Sequence, residues 1–563
     1  MSAEPAALEV VLCWHMHQPA YRDPVTGRYH LPWTYLHAIK DYTDMAAHLE
    51  AEPRARAVVN FAPILLEQLD DYAANLAAHL EGGAALADPL LAALAAEAAP
   101  VEAAARRDWV AACLRANRRH LIERFPRYRA LADTAEAALG DEALLMAQPD
   151  PFFFDLLVWY HLAWLGESVR RDHAAARDLL ARERDYGPAE RRALLELIHG
   201  LIAGIVPRYR ALAVAGRVEL SMTPYAHPIL PLLMDLGCAR EAVPELVLPA
   251  VADYPGGEAR ARWQVARGRE VFQAHFGFAP VGCWPAEGGV SAPALDLLAE
   301  YGFAWVASGE GVLRNSLGEA VVGANRPRWL NRPYRLEGRA PSCFFRDDEL
   351  SDLIGFSYGD WHADDAVADL VHRLGNIAEA GPPGRVVSII LDGENAWEHY
   401  PENGYFFLSA LYRRLAEDPR LRLTTFRDAG AEPARLDRLV AGSWVYGSFT
   451  TWIGDPAKNR AWELLVEAKT AFDAAVAAGR LQGGRYDRAA RQLAVCEGSD
   501  WCWWFGDYNA ADTVRDFDRL YRRQLAALYA LIDAPVPDAL GEVVSRGGGA
   551  PPLGGAMRPG REA

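Results

Sequence analysis

Two apolar runs that each end at an acidic residue constrain the fold of this chain more than any other feature. Residues 281–289 read VGCWPAEGG, and residues 386–395 read VVSIILDGEN. An apolar stretch that stops at a carboxylate and then meets glycine is typical of a buried strand in a parallel sheet. The last side chain of such a strand points into the mouth of a barrel, where strand ends build the site. We therefore predict a parallel barrel with Glu287 and Asp392 at its mouth.

Further short runs of aliphatic and aromatic residues are predicted as strands of the same barrel, and helical patterns separate most of them. The seven predicted strands are residues 8–15, 57–61, 218–222, 281–285, 303–307, 353–357 and 386–392. This alternation predicts an α/β fold, an incomplete (β/α)7 barrel.

The chain divides into three predicted parts. The barrel covers residues 1–428 and contains a helical insertion at about 84–213, where Ala, Leu, Arg and Glu recur at helical spacing. Residues 429–533 are predicted to form a helical C-terminal region that completes the cleft. Pro and Gly become frequent after that, which predicts a disordered tail over residues 534–563.

Composition excludes several classes of partner. Lys and Arg number 58 against 75 Asp and Glu, so the net charge of −17 argues against nucleic acid and anionic membrane surfaces. The seven cysteines show no CxxC spacing, which indicates reduced, buried thiols rather than disulfides or a thiolate metal site. The N-terminus lacks the basic segment of a signal peptide, and no uncharged stretch approaches the roughly 18 residues of a membrane span. We expect a soluble, cytoplasmic protein without a membrane partner; its oligomeric state is not indicated.

The predicted pair of acids at the mouth suggests a reaction. Two carboxylates delivered by separate strands are what the hydrolysis of a glycosidic bond requires, one as nucleophile and one as acid/base. Glu394 and Glu398 follow Asp392 closely, and acids so close together raise one another's proton affinity, which keeps one of them protonated near neutral pH. The alternatives are a solvated acid that begins a turn at Glu287 and an acidic loop after Asp392 that binds a cation or caps a helix.

Histidines lie near the same predicted strand ends. His15 and His17 can enter one site as metal ligands, as hydrogen-bonding groups for sugar hydroxyls, or as packing at the rim. Zinc needs three or four ligands, and the sequence offers no cysteine partner or HExxH motif, so we favour sugar contact. His227 lies among prolines just past the third strand, which favours a functional position. Glu219 lies inside that strand, where it either supports the site or is a satisfied structural acid.

Tryptophan is abundant, with 17 residues, and several fall close to these positions. The densest run is Trp501-Cys502-Trp503-Trp504-Phe505, which directly follows Asp500. Aromatic faces bury the C–H surface of sugar rings while the sugar hydroxyls stay free to hydrogen-bond. Many tryptophans belong to the core, but acids and aromatics that alternate this densely favour a cleft wall.

Five segments, in chain order, resemble the sequence regions of glycoside hydrolase family 57, and within it the α-amylases and amylopullulanases. They are HQP at 17–19, ELSMTPYAH at 219–227, WPAE at 284–287, LDGENAWE at 391–398, and TWIGD with KNRAW at 451–455 and 458–462. The resemblance covers residues 8–532, and five ordered motifs together are highly specific.

The resemblance implies a (β/α)7 barrel and retaining hydrolysis or transglycosylation of α-1,4-glucosidic bonds in an α-glucan oligo- or polysaccharide, with α-1,6 bonds left open. By motif position, Glu287 is implied as the nucleophile and Asp392 as the general acid/base, and neither a metal nor another cofactor is required. Substrate contact or support is implied for His15, His17, Glu219, His227, Trp284, Glu394, Trp397, Asp455, Asp500, Trp501 and Trp503.

The chain departs from the pattern of this family at three places. Gly309 lies where an acidic pair is expected after the fifth strand, and Tyr35 lies where Arg is expected. Tyr508 and Asn509 lie where an acid and His are more usual. These differences bear on substrate preference more than on the reaction.

Two other interpretations remain. One is a zinc-dependent α-mannosidase or polysaccharide deacetylase, whose barrels also use His and Asp at strand ends. The other is a non-catalytic α-glucan-binding protein that keeps the aromatic cleft, against which the intact pair of acids argues.

Overall fold

Ten strands form one sheet, most of which curls into a barrel. A computed structural model of the chain describes residues 7–321, 324–337, 339–381 and 384–549. The strands are β1 (Leu8–Met16), β2 (Ala57–Phe61), β3 (Val218–Met222), β4 (Gly282–Cys283), β5 (Trp305–Ser308), β6 (Tyr334–Leu336), β7 (Ser342–Phe345), β8 (Val386–Asp392), β9 (Leu421–Thr424) and β10 (Ala434–Leu436).

Seven of these strands follow one another in the order β8-β1-β2-β3-β4-β5-β7, and all neighbours in this series are parallel. Among the described residues, the strand pairing between the two ends of the series is a single bridge between Arg346 and Ser388. β9 pairs with the start of β1, and β6 joins β7 to β10. The predicted incomplete (β/α)7 barrel is confirmed.

Helices surround this sheet and fill the long connections. They are α1 (Trp33–His37), α2 (Thr43–Ala51), α3 (Pro63–Gly82), α4 (Pro89–Ala95), α5 (Ala103–Cys113), α6 (Pro126–Leu139), α7 (Glu142–Ala147), α8 (Asp150–Trp164), α9 (Glu167–Asp172), α10 (Ala174–Arg182), α11 (Pro188–Val214), α12 (Leu230–Met234), α13 (Gly257–Phe276), α14 (Ala292–Glu300), α15 (Glu310–Leu317), α16 (Arg326–Leu330), α17 (Asp348–Asp352), α18 (Ala363–Glu379), α19 (Tyr405–Glu417), α20 (Pro456–Ala477), α21 (Gly483–Cys496), α22 (Asp500–Trp504) and α23 (Ala511–Leu531).

Six of the seven predicted strands are present, with ends within two residues of the prediction. The strand predicted at 353–357 is wrong, because Leu353–Ser357 is a π-helical turn that follows α17. The strand in this part of the barrel is β7, Ser342–Phe345. A short apolar run cannot be assigned to a strand or a buried helical turn from periodicity alone, so the sequence left this choice unresolved.

The predicted helical insertion between the second and third strands corresponds to α4–α11. Local signals explain several of the helix ends. Asp88 accepts the amides of Leu90 and Leu91 and so begins α4, while Gly83 ends α3 with a φ of 70°, a left-handed value that favours glycine.

α11 is the longest helix and, by length and composition alone, could cross a membrane. One face of this helix is buried in the protein, where Leu194, Ile198, Ile202 and Tyr209 lie. A core helix of a globular protein passes the same test of length and hydropathy, so this single helix is weak evidence for a membrane segment.

The C-terminal part contains α20–α23, and helices α20, α21 and α22 each contact α23. The prediction of disorder from residue 534 is wrong for residues 534–549. Leu540 is buried, and the amides of Val544 and Ser545 donate to the Asp518 carboxylate at 2.7 and 3.2 Å. Backbone amides that find a buried carboxylate order a segment that composition alone would leave unfolded. Residues 550–563 of the predicted tail lie outside the described residues.

Candidate active site

The carboxyl ends of β1, β4 and β8 bring predicted acids and histidines to one mouth of the barrel. His15 is the register partner of Asp392 on the neighbouring strand. Glu287 follows the end of β4, and its Oε1 lies 4.0 Å from His227 Nδ1. His227 Nε2 in turn lies 3.0 Å from His15 Nε2. Each of the two acids therefore neighbours a member of one group of histidines.

His15, His17 and His227 form a stack of imidazole rings. The ring centroids of His17 and His227 are 3.9 Å apart with planes inclined by 10°, and those of His15 and His227 are 5.0 Å apart at 20°. Residues at the start of α22 hold two of the rings. Asp500 Oδ1 lies 2.8 Å from His17 Nε2, and Ser499 Oγ lies 2.8 Å from His227 Nδ1.

Two of the stacked rings are held in the neutral form. Burial and, to a smaller extent, the neighbouring His17 lower the pKa of His15 to about 3, while the hydrogen bond to Asn60 acts in the opposite direction. Burial lowers the pKa of His227 well below its usual value, and His17 and His15 add to the effect. Neutral imidazoles offer one donor and one acceptor each, and both nitrogens of each of these two rings have partners within the protein, so the rings are held beside the acids without adding charge to the site.

Glu287 is held in an unusual backbone conformation. Its φ is 57°, a left-handed value that is uncommon for a residue with a side chain, and His227 opposite has a φ of 61°. The side chain is 13% exposed. Trp444 Nε1 donates to Glu287 Oε2 at 2.8 Å, and the Trp444 amide donates to the Glu287 carbonyl at 3.1 Å. Both backbone and carboxylate of Glu287 are thus fixed by one residue from a distant loop.

Asp392 ends β8 and is partly buried. Burial raises its pKa, and this effect exceeds the opposing influence of the Asn395 hydrogen bond and of the charges of His17 and Arg346. Asn395 Nδ2 donates to Asp392 Oδ2 at 2.9 Å. A carboxyl whose pKa is raised by burial keeps its proton to a higher pH than an exposed carboxyl does, which suits a group that gives a proton to a leaving group.

The acids that follow Asp392 behave differently from each other. Glu394 is buried and accepts from Gln18 Nε2 at 3.2 Å, and burial together with the charge of Asp392 raises its pKa well above the usual value. For Glu398, burial is outweighed by the hydrogen bond from His399 and by nearby cations, so its pKa is lowered. Mutual elevation of proton affinity, predicted for all three acids, thus applies to Glu394 and not to Glu398.

Glu219 lies away from this mouth. It is the second residue of β3, three positions before the strand end, and its side chain is buried. Its Oε1 accepts from Trp305 Nε1 at 2.7 Å, and its Oε2 accepts from the Arg427 amide at 2.9 Å. These partners satisfy a structural acid at the opposite end of the barrel, which decides between the two alternatives left by the sequence.

Three of the tryptophans predicted at the substrate are buried in the core. Trp284 is 0% exposed, Trp397 1% and Trp501 2%. Trp397 Nε1 donates to the Gly393 carbonyl, and Trp501 Nε1 donates to the Val495 carbonyl. Of the two implied roles, substrate contact or support, burial favours support for these three residues.

Two other predicted residues lie near the surface. Asp455 begins α20, and its Oδ1 accepts the Ala457 amide at 2.8 Å, which is a helix-capping role. Trp503 is partly exposed and lies 5.8 Å, centroid to centroid, from the ring of Trp452. Of the run at 501–505, Trp503 and Trp504 are partly exposed, whereas Trp501 is buried.

The residues at which the chain departs from the family pattern each contact other parts of the protein. Tyr35 is buried, and its hydroxyl lies 2.9 Å from His161 Nε2, so it belongs to the core near the helical insertion. Tyr508 is 45% exposed, and its hydroxyl and ring both contact the buried Lys458. Gly309 lies against the backbone of Trp444.

Three residues of the site were missed by sequence reasoning: Asn60, Trp444 and Ser499. Asn60 ends no apolar run, and Trp444 lies in a loop between β10 and α20 without a periodic pattern. A polar residue inside the otherwise apolar β2 was the available signal for Asn60. Their roles depend on contacts between distant segments, which no local pattern reveals.

Among the described residues, His17, His227 and Asp500 offer ligand atoms within 4.8 Å of one another. The lone pair of an imidazole nitrogen lies in the ring plane, so rings stacked 3.9 Å apart at 10° direct their lone pairs along nearly parallel planes. Zinc instead requires ligands that converge in a tetrahedron. The arrangement fits hydrogen bonding to hydroxyl groups better than metal coordination.

Comparison with known proteins agrees with this geometry. Residues 11–436 match the model of the family described as Glycosyl hydrolase family 57. Solved structures with the same fold include a branching enzyme of Thermococcus kodakaraensis (TM-score 0.57, 15% identity, covering 93% of this chain and 90% of that one). A branching enzyme of Pyrococcus horikoshii has a TM-score of 0.55 and 16% identity, and the match covers 99% of this chain and 100% of that one. An α-amylase of Thermotoga maritima has a TM-score of 0.55 and 13% identity, and the match covers 94% of this chain and 93% of that one.

Proposed function

The chain belongs to glycosyl hydrolase family 57, and from this premise we propose that it is a retaining hydrolase or transglycosylase of α-1,4-glucosidic bonds in α-glucans. The observation that carries the proposal is that Glu287 and Asp392 both lie at strand ends next to members of one histidine stack, at the mouth of the barrel. The branching-enzyme and amylase relatives are consistent with both outcomes, transfer and hydrolysis.

In the proposed reaction, Glu287 attacks the anomeric carbon while Asp392 gives its proton to the leaving glucosidic oxygen. The products of this step are a glucosyl ester of Glu287 and a released sugar with a free hydroxyl. Asp392, now ionised, then removes a proton from water or from an acceptor hydroxyl, which attacks the ester and restores both acids. The raised pKa of Asp392 supports its role as the acid in the first step.

The histidine stack is proposed to orient the sugar hydroxyls. His17 donates through Nε2 to Asp500, while its buried Nδ1 has no hydrogen-bond partner within the described residues. An acceptor of this kind is costly to bury unless a ligand hydroxyl donates to it. Trp503 is proposed as an aromatic surface for a sugar ring farther along the cleft.

The experiment that tests the proposal uses maltoheptaose and pullulan, with products separated by chromatography. We expect shorter maltooligosaccharides from hydrolysis and additional longer or branched products from transfer, in both cases unaffected by EDTA. Glu287→Gln should lose turnover of maltoheptaose by at least about a thousandfold because it removes the nucleophile. The matched control is Glu219→Gln, a second buried glutamate that lies at the other end of the barrel.

Three outcomes would overturn parts of this proposal. Loss of activity with EDTA would favour a zinc-dependent enzyme, and glucan binding without turnover would favour a binding protein. Equal activity of Glu287→Gln and wild type would exclude Glu287 as nucleophile.

A cytoplasmic location is proposed separately, because all seven cysteines are buried and form no disulfide in the described part of the chain.

A further inference from the structure

The loop at residues 442–449 holds Glu287 from the side opposite the histidines. Val290 and Gly442 exchange backbone hydrogen bonds of 2.9 and 3.1 Å, which fixes the loop beside the strand end that carries Glu287. Within this loop, Trp444 makes two hydrogen bonds to Glu287, one to its carbonyl and one to Oε2. The loop therefore determines the direction of the carboxylate.

Two neighbouring side chains hold the indole ring of Trp444 in place. It packs edge to face on Trp284, with centroids 5.2 Å apart and planes at 74°. The guanidinium of Arg346 lies 5.5 Å from the ring centroid on another side. Arg346 is buried, and its Nε donates to the Ile390 carbonyl at 2.8 Å, two residues before Asp392. One indole thus connects the segment of the proposed nucleophile with the strand of the proposed acid/base.

Two glycines make this close approach possible. A Cβ atom at Gly309 would lie 2.5 Å from Trp444 Cα, and one at Gly311 would lie 2.8 Å from Gly447 Cα. Distances below about 3 Å between such backbone atoms are forbidden by van der Waals repulsion, so any larger residue would displace the loop. Gly309 is also the position at which the sequence departs from the expected acidic pair.

We propose that Trp444, seated on Gly309, is a positioning residue that orients the Glu287 carboxylate toward the reacting carbon. The inference rests on the proposed function, in which Glu287 is the nucleophile. It goes further by assigning a role to two residues outside the catalytic pair: a glycine that lets a tryptophan reach Glu287.

The test is the pH dependence of kcat/KM for maltoheptaose in Trp444→Phe. Phenylalanine keeps an aromatic ring but removes the N–H that stabilises the ionised carboxylate, so the acidic limb should move to higher pH by about one unit. We expect kcat to fall about tenfold to a hundredfold with KM nearly unchanged, as for a lost hydrogen bond to a charged group. Gly309→Ala should move the acidic limb in the same direction, because the added methyl group displaces Trp444.

The control is Trp305→Phe, which removes the indole N–H that binds Glu219 at the other end of the barrel. This variant loses the same atoms from a more deeply buried position, so it sets an upper bound on the effect of a smaller ring on packing. We expect its acidic limb to stay in place and its kcat to remain within about twofold of wild type. Melting temperatures of all three variants identify any that fold poorly.

A second measurement does not depend on turnover. Carbodiimides modify protonated carboxyl groups, so the pH midpoint of carbodiimide labelling at Glu287, mapped by mass spectrometry, should also move upward in Trp444→Phe and Gly309→Ala. An unmoved midpoint and acidic limb in Trp444→Phe would overturn the proposal, as would an equal shift in Trp305→Phe. A labelling midpoint that shifts in Trp444→Phe, in a protein whose wild type does not turn over glucans, would refute the proposed function and leave only the hydrogen bond of Trp444 to Glu287.

Discussion

Removal of the Asn395 side chain tests whether Asp392 is the acid of the reaction. Asn395 Nδ2 donates to Asp392 Oδ2 at 2.9 Å, and this hydrogen bond lowers the pKa that burial raises. A hydrogen bond to a charged group contributes about 1.5–3 kcal/mol. Since one pKa unit corresponds to about 1.4 kcal/mol, its loss could raise the pKa of Asp392 by about one to two units. The charges of Arg346 and His17 persist and the site is partly open, so we expect about one unit.

The assay is the kcat/KM profile of Asn395→Ala with maltoheptaose between about pH 4 and pH 10. The basic limb of this profile reports loss of the proton from the acid of the free enzyme, so it should move upward by about one pH unit. The exposed Asn376 on α18 provides a control, since Asn376→Ala should leave both limbs in place. A basic limb that stays in place, or moves to lower pH, in Asn395→Ala would refute the assignment of Asp392.

Three further predictions concern the scaffold. Glu219→Gln should keep kcat/KM for maltoheptaose within about twofold of wild type, and a tenfold loss in a protein with an unchanged melting temperature would contradict its structural role. Arg260→Met removes the partner of the buried Glu497 carboxylate, which is now 2.6 Å away. The free energy of unfolding, measured with urea, should therefore decrease by about 3–5 kcal/mol, and a decrease below about 1 kcal/mol would contradict this reasoning. Burial lowers the pKa of His15 in the folded protein to about 3. As the pH falls below about 6.5, His15 is therefore protonated only in the unfolded chain, and the folded state becomes less stable. The free energy of unfolding of wild type should therefore decrease between pH 7 and pH 4.5, and the decrease in His15→Gln should be smaller by about 2 kcal/mol. Equal decreases in the two proteins would contradict a buried, neutral His15.

The strand ends of the barrel were predictable because each is marked by a local signal. The apolar runs before Glu287 and Asp392 are continuous in sequence, and glycine follows each acid. His15 and His227 follow from the same logic, since each lies where a predicted strand ends. The strand predicted at 353–357 was wrong, because a short run of apolar residues is equally compatible with a buried helical turn and with a buried strand.

The supporting contacts were not predictable because they join segments that are far apart in the chain. Trp444 and Glu287 are separated by 157 positions, and Ser499 and His227 by 272. The same limit explains the tryptophans: composition indicates that aromatic residues cluster near the site, but only packing decides whether Trp284 and Trp501 face the core or the cleft. The family resemblance implied contact or support for both, and their burial favours support.

The central claim is that Glu287 forms a covalent ester with the sugar, and trapping that ester tests it most directly. Asp392→Asn should still react with α-maltosyl fluoride, because fluoride leaves without a proton, but should lack the base that speeds the second step. Mass spectrometry of the digested protein should then find one maltosyl group on the peptide that contains Glu287, and none in the Glu287→Gln/Asp392→Asn double variant. A maltosyl group on another residue, or a product of inverted anomeric configuration, would contradict the account.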